Sequence, residues 1–217
     1  MKVLSNSVVF NMYRMTVDDN QRSTFNEVGK RNMVTSLAIE NGTLAMYNTR
    51  DNQGDNLIFE LYQDDAAYQK HLQSAQYHDF KEVATTAVTK SEATSLVPQF
   101  LAEQDVSLNA TTDNNMWVNI VRFTVKDGQG YAFGQILADY LKEAMKTETE
   151  ILACYIAQVK DDPNHWITFQ VFQNDGTFNN YVNSDSFHRV QAQLAPLIEE
   201  RKMEQLDGQV LINQGHY

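Results

Sequence analysis

Two asparagines occupy positions where an amide has to be doing something. Asn11 lies in Val9-Phe-Asn-Met-Tyr-Arg-Met-Thr-Val17 and Asn119 in Trp117-Val-Asn-Ile-Val-Arg-Phe-Thr-Val125. Both runs alternate like strands, and the same-face neighbours are apolar: Val9, Tyr13 and Met15 beside Asn11, and Trp117, Val121 and Phe123 beside Asn119. An amide turned into an apolar space costs free energy unless it is hydrogen-bonded. Each therefore either bonds neighbouring backbone or faces a ligand. Glu60, Tyr62 and His71 add a carboxyl, a phenol and an imidazole, and Gln170, Phe172 and Tyr181 stand at the corresponding places further along. Those replacements keep shape while removing charge, phenol and imidazole. No Ser-His-Asp set, carboxylate pair or phosphate loop accompanies them, so the residues point to an apolar pocket holding a few polar groups.

Two other patterns lead elsewhere. Asp127-Gly-Gln-Gly130 follows a strand and opens a helix, as a dinucleotide loop does, but the next glycine is misplaced at Gly134 and a tight turn is the simpler reading. His71 and His78 lie seven apart, yet no carboxylate completes a ligand spacing and His71 corresponds to Tyr181, so no metal site is expected. His78, which recurs as His188, is expected to pack or hydrogen-bond at a helix break.

The elements that position these residues come in duplicate. Shifting the chain by 108 residues lays Val9–Val17 on Trp117–Val125 with Asn, Arg, Thr and Val identical, and Thr43–Tyr47 on Ile151–Tyr155 with three of five identical. Beyond the Asn/Asp/Gly-rich stretch 48–56 the shift becomes 110: Phe59, Gln63, Asp65, Ser74 and His78 recur, as do Leu96, Gln99, Leu101 and Gln104. A two-residue insertion placed in a turn, with register kept on either side, marks a true internal repeat. Each copy predicts a strand (8–17, 115–125), a helix opening at Asp18-Asp19 and closing near Asn41-Gly42 or its counterpart, and a hairpin (43–50 with 56–63, 150–160 with 164–173). A helix pair broken near Ser74 or Ser184 and a final strand (95–103, 206–213) complete it. The order β-α-β-β-α-β is ferredoxin-like, an α+β module with helices on one sheet face. The other face also needs cover, so the two antiparallel sheets are expected to pack face to face. This divides the chain into modules 1–104 and 115–217 with a polar linker at 105–114.

Composition sets the outer bounds. The net charge of −11, from 17 basic and 28 acidic residues, is spread over both halves with no basic face for phosphates. That argues against nucleic acid and anionic membranes as partners. Cys154 stands alone, which excludes an intrachain disulfide and thiolate metal clusters. The start of the chain carries no signal-peptide pattern, and no apolar run approaches the roughly 18 residues that span a bilayer. A cytoplasmic location is expected.

The stretch Phe59 to Phe80 resembles the antibiotic biosynthesis monooxygenase family of the dimeric α/β-barrel superfamily. Glu60, Tyr62, Tyr68, His71, Ser74 and Tyr77 fit that family's pattern, and the second copy keeps Phe172, Phe178, Ser184 and Phe187. The resemblance implies a barrel of two ferredoxin-like modules, here an intrachain pseudo-dimer with room for a further homodimer. It also implies cofactor-free oxygenation of a small aromatic phenol or quinol in a cavity between sheet and helices. Carried onto this chain, it makes Asn11 an oxyanion donor, Tyr13 and Tyr62 walls or phenol donors, and His71 the base. Glu60, Tyr68, Asn119 and Trp117 become substrate-binding groups. The family's haem-degrading branch is disfavoured, because its Asn, Trp and iron-binding His fall on Tyr13 or Val121, Tyr62 or Phe172, and Lys81 or Gln191. A non-catalytic small-molecule binder of the same fold is the competing reading. Of the two copies, the first keeps the ionisable groups and is expected to be the working one.

Overall fold

Alternating β-branched and aromatic residues favour the extended chain, and the first long strand runs where that alternation does. The computed structural model describes residues 1–214; the last three residues of the second repeat, 215–217, lie outside the described residues. A short β1 (Lys2–Val3) precedes β2 (Val9–Val17), α1 (Arg22–Ile39), the hairpin β3 (Thr43–Arg50) and β4 (Asn56–Tyr62), α2 (Asp65–Leu72), α3 (Ala75–Ala87) and β5 (Val88–Glu103). After β6 (Asn109–Ala110) the order repeats: β7 (Trp117–Val125), α4 (Gly130–Thr147), β8 (Ile151–Val159), β9 (Asp162–Phe172), α5 (Asp175–Val182), α6 (Asp185–Leu194) and, beyond one 3-10 turn, β10 (Ile198–Asn213).

Within each repeat the strand order is fourth, first, third, second: β5-β2-β4-β3 and β10-β7-β9-β8. That is the ferredoxin-like arrangement expected. β10 also pairs β3, through Asp207–Asn213, and β5 also pairs β8, through Leu96–Glu103.

The final strands differ from expectation. β5 and β10 begin at Val88 and Ile198, well before the expected 95 and 206. Their opening halves, Val88-Thr-Lys-Ser-Glu-Ala-Thr-Ser and Ile198-Glu-Glu-Arg-Lys-Met-Glu-Gln, are mostly exposed and polar. Hydrophobic alternation cannot mark a strand segment that buries almost nothing. Each long strand serves two compact units. The N-terminal unit comprises Ser7–Ser95, Ser107–Asn114 and Asp207–Tyr217; the C-terminal unit comprises Met1–Asn6, Leu96–Val106 and Asn115–Leu206.

In the N-terminal unit, α1 and α3 pack on the helix-facing side of the sheet through Phe25, Val28, Met33 and Phe80 against Val17, Met46, Ile58 and Tyr62. In the C-terminal unit the same layer is made by Phe133, Leu137, Leu141 and Val190 against Val121, Phe123, Cys154 and Phe172. Ser74 and Ser184 cap α3 and α6 by accepting from the backbone N–H of Tyr77 and Phe187. The helix break is thus built by these serines. His78 does not fill the packing role expected of it, because it is exposed, its ring centroid 6.2 Å from that of Tyr77. Gly128, at φ +74°, makes the Asp127–Gly130 segment the tight turn expected. Among the described residues no helix is long and apolar enough to cross a membrane.

Candidate active site

Strand alternation decides what the helix-facing side of the first repeat presents. Tyr13 and Met15 on β2 share that side with Ile58, Glu60 and Tyr62 on β4, and Asn11 lies directly opposite Glu60 in the ladder. Between these strands and α3 lies a cavity of about 340 Å³. Its wall includes Tyr13, Ile58 and Glu60 from the sheet and Tyr77, Phe80 and Lys81 from α3. Of the residues singled out from sequence, Tyr13 and Glu60 line the cavity. Tyr62, Tyr68 and His71 stand behind the wall, and Asn11 lies beside it in β2.

Glu60 is the carboxyl of that wall. It is buried, and the Tyr62 hydroxyl donates to its Oε2 at 2.8 Å. Burial holds the Glu60 carboxyl above the usual range, while electrostatic interaction with His71 and the Tyr62 hydrogen bond pull the other way. The Tyr13 and Tyr68 hydroxyls meet at 3.2 Å, and the Tyr62 ring lies 5.1 Å from that of Tyr68. Burial also pushes the Tyr13 and Tyr62 hydroxyls up, so both remain neutral donors at ordinary pH.

His71 is fully buried, its ring 5.3 Å from Tyr62 and 5.1 Å from Tyr77. Its Nδ1 lies 3.1 Å from Glu40 Oε2 and 3.3 Å from Ser36 Oγ, whereas its Nε2 is buried without a hydrogen-bond partner. Thr43 Oγ1 donates to the same Glu40 oxygen at 2.5 Å, and Gln76 Nε2 donates to the other at 2.5 Å. Sequence reading missed Glu40, Ser36 and Gln76, which are far from His71 in the chain. One signal was available: Glu40 is the C-cap of α1, where the helix dipole disfavours a negative charge and a buried carboxylate needs donors.

The second repeat lines the equivalent place differently. Trp117 stacks on Phe178 at 4.5 Å, and Gln170 donates to the Tyr181 hydroxyl at 3.4 Å. Tyr77 is matched by Phe187 and Ser91 by Arg201, whose guanidinium lies over the Phe187 ring at 5.9 Å. Asn119 is buried, its Oδ1 without a hydrogen-bond partner, and the Trp117 Nε1 is likewise unpartnered. Among the described residues no group of three metal-ligating side chains comes together.

The comparisons with known proteins fit this picture. The sequence matches the model of the antibiotic biosynthesis monooxygenase family twice, over residues 8–83 and 116–193. No curated protein matches it. A "putative monooxygenase" of Lactobacillus acidophilus NCFM superposes with a TM-score of 0.87 at 21% identity, covering 96% of this chain and 97% of that one. A protein of the same description from Fusobacterium nucleatum gives 0.87 at 18% identity, covering 96% and 95%. An anthrone oxidase-like protein gives 0.63 at 8% identity, covering 99% and 98%. At such identities the likeness speaks for the fold, and the two matches to the family model decide membership. The chain belongs to the antibiotic biosynthesis monooxygenase family, with its domain present twice.

Proposed function

We propose that the N-terminal repeat carries out cofactor-independent oxygenation of a small phenol or quinol. The observation that carries this reading is the cavity of about 340 Å³ with a buried carboxyl and two phenols on its wall. Its volume stands at the small end of ligand sites, which run from about 300 to 1,000 Å³, and suits one or two fused rings. In this reading the substrate hydroxyl meets Glu60 at the wall, and its proton passes on to Nε2 of His71 behind. Asn11, opposite Glu60 in the ladder, donates to the developing oxyanion, while Tyr13 and Tyr62 keep the ring in a dry setting. The phenolate gives one electron to dioxygen, and the resulting radicals combine at a ring carbon to form a hydroperoxide. Loss of water leaves the quinone, so one oxygen atom enters the ring and the other departs as water. The substrate supplies all four electrons and no cofactor is required.

The test is oxygen uptake with a phenol of one or two rings, such as a naphthol, matched against quinone formation at one to one. Asn11→Ala with His71→Ala should lower turnover at least tenfold, about 1.4 kcal/mol of transition-state stabilisation. Asn119→Ala with Tyr181→Ala should leave it nearly unchanged, since the second repeat has Gln170, Phe172 and Tyr181 in place of Glu60, Tyr62 and His71. Equal losses from both pairs would place activity in both repeats. Saturable binding of the phenol without oxygen uptake beyond the spontaneous rate would replace the enzyme by a binder.

A further inference from the structure

We propose that Glu40 is a positioning residue that fixes the tautomer of His71, acting with Ser36 and Gln76. The inference rests on the reading of His71 as proton acceptor and deepens it. It follows from the direction of each hydrogen bond around Nδ1. Ser36 Oγ donates to Asn32 Oδ1 at 3.4 Å, so its one proton is used. The same oxygen then accepts from Gln76 Nε2 at 3.1 Å. Glu40 receives donors at both oxygens, from Gln76 and from Thr43. Both neighbours of Nδ1 are therefore acceptors, and the ring proton sits on Nδ1. The remaining lone pair is on Nε2, the buried nitrogen without a partner.

The chemistry needs that choice of nitrogen. When the substrate proton passes by way of the Glu60 carboxyl, the substrate O–H bond breaks and the phenolate keeps the electron pair, while Glu60 hands one proton on and an Nε2–H bond forms. The imidazolium then carries a charge that Glu40, 5% exposed and 3.1 Å from Nδ1, offsets on its far side. The groups that meet the ring are Ser36 and Glu40 from the end of α1, Tyr62 from β4 and Tyr77 from α3, with the Glu60 carboxyl of β4 close enough to interact with its charge. Glu40 and Glu60 are the carboxyls among them, one behind Nδ1 and one on the cavity wall. The second repeat shows what the device is for. It keeps a carboxylate at the matching helix end, Glu148, but has Ala144 for Ser36, Ser186 for Gln76 and Tyr181 for His71. The carboxylate alone is not retained as a dyad.

Nitrogen-15 chemical shifts of His71 in the full-length protein test the assignment independently of turnover. In the wild type they should report Nδ1 protonated and Nε2 bare at neutral pH. Protonated Nε2 with bare Nδ1 would overturn the proposal whatever the activity. Glu40→Gln, which keeps shape but places an amide against Nδ1, should shift the tautomer balance and lower kcat at least tenfold with KM changed less than threefold. An unchanged kcat, or a loss in Glu40→Gln fully explained by a lower melting temperature, would reduce Glu40 to a structural role and reject the proposal. Correct wild-type shifts with no turnover of any phenol would overturn the assigned function and, with it, the positioning role, while the tautomer assignment would stand.

Discussion

A carboxyl whose burial outweighs the pull of its neighbours makes its own stability signature, and Glu60 supplies it. Its pKa is raised on folding, so the native state binds more protons than the unfolded chain between the two values. The sign follows: Glu60's contribution is fully present below the unfolded carboxylate range and is lost as pH rises through the folded value. Glu60→Gln removes that loss while keeping the shape and an acceptor for Tyr62. The difference in melting temperature, variant minus wild type, should therefore grow in the variant's favour between pH 4 and pH 9. For a chain of this size each kcal/mol corresponds to about 2–4 °C. A difference that stays flat over that range would mean that Glu60 gains enough from His71 and Tyr62 to offset burial.

At the scale of elements, the junction between α1 and α2 is where the site is held together. Glu40 ends α1 and His71 lies one helical turn beyond Ala67 on α2, so the approach of these two elements sets the distance between them. Gly42 is the residue that permits it: a Cβ there would lie 2.4 Å from Cβ of Ala67. Neither carbon can rotate away, so the backbone has to shift. The second repeat solves the same contact with the pair Glu150 and Thr177, whose side chains hydrogen-bond at 3.0 Å. Gly42→Ala should destabilise the protein by about 1–3 kcal/mol and depress oxygen uptake more than Glu40→Gln does. Adding Ala67→Gly should restore much of the uptake in the Gly42→Ala background, though not all the stability, because glycine in a helix costs about 1 kcal/mol. Thermal unfolding and oxygen-electrode rates on the two variants decide this, and a double variant no more active than the single would put the strain elsewhere.

For the whole molecule, the exchange of strand halves decides what truncation does. β3 of the N-terminal unit pairs with Asp207–Asn213, and Val210 and Ile212 complete that unit's core. A chain ending at Gln104 loses this strand and exposes the β3 edge, where Ala45, Met46 and Tyr47 are fully buried in the intact protein. An unpaired edge beside apolar surface recruits another chain. The truncated chain should sediment as a dimer or larger species, or precipitate. A folded, monodisperse monomer of residues 1–104 would show that the strand supplied by β10 is dispensable.

The duplication and the element order were legible in the amino-acid sequence, because each leaves a local or periodic trace. Apolar alternation marks β2 and β7, serine before a helical run marks the caps of α3 and α6, and an offset of 108 residues aligns the two copies. The tertiary structure alone decided three other things. The polar opening halves of β5 and β10 are strands because their backbones find partners, which side-chain hydropathy does not record. The cavity took Tyr13 and Glu60 onto its wall and set His71 behind, a difference of one side-chain layer that residue type does not encode. And Glu40 met His71 across 31 positions of chain, where only the packing of α1 on α2 and α3 could bring a carboxylate to an imidazole. Periodicity reports which face of an element is buried; which partners share that burial is fixed by how the elements close on one another.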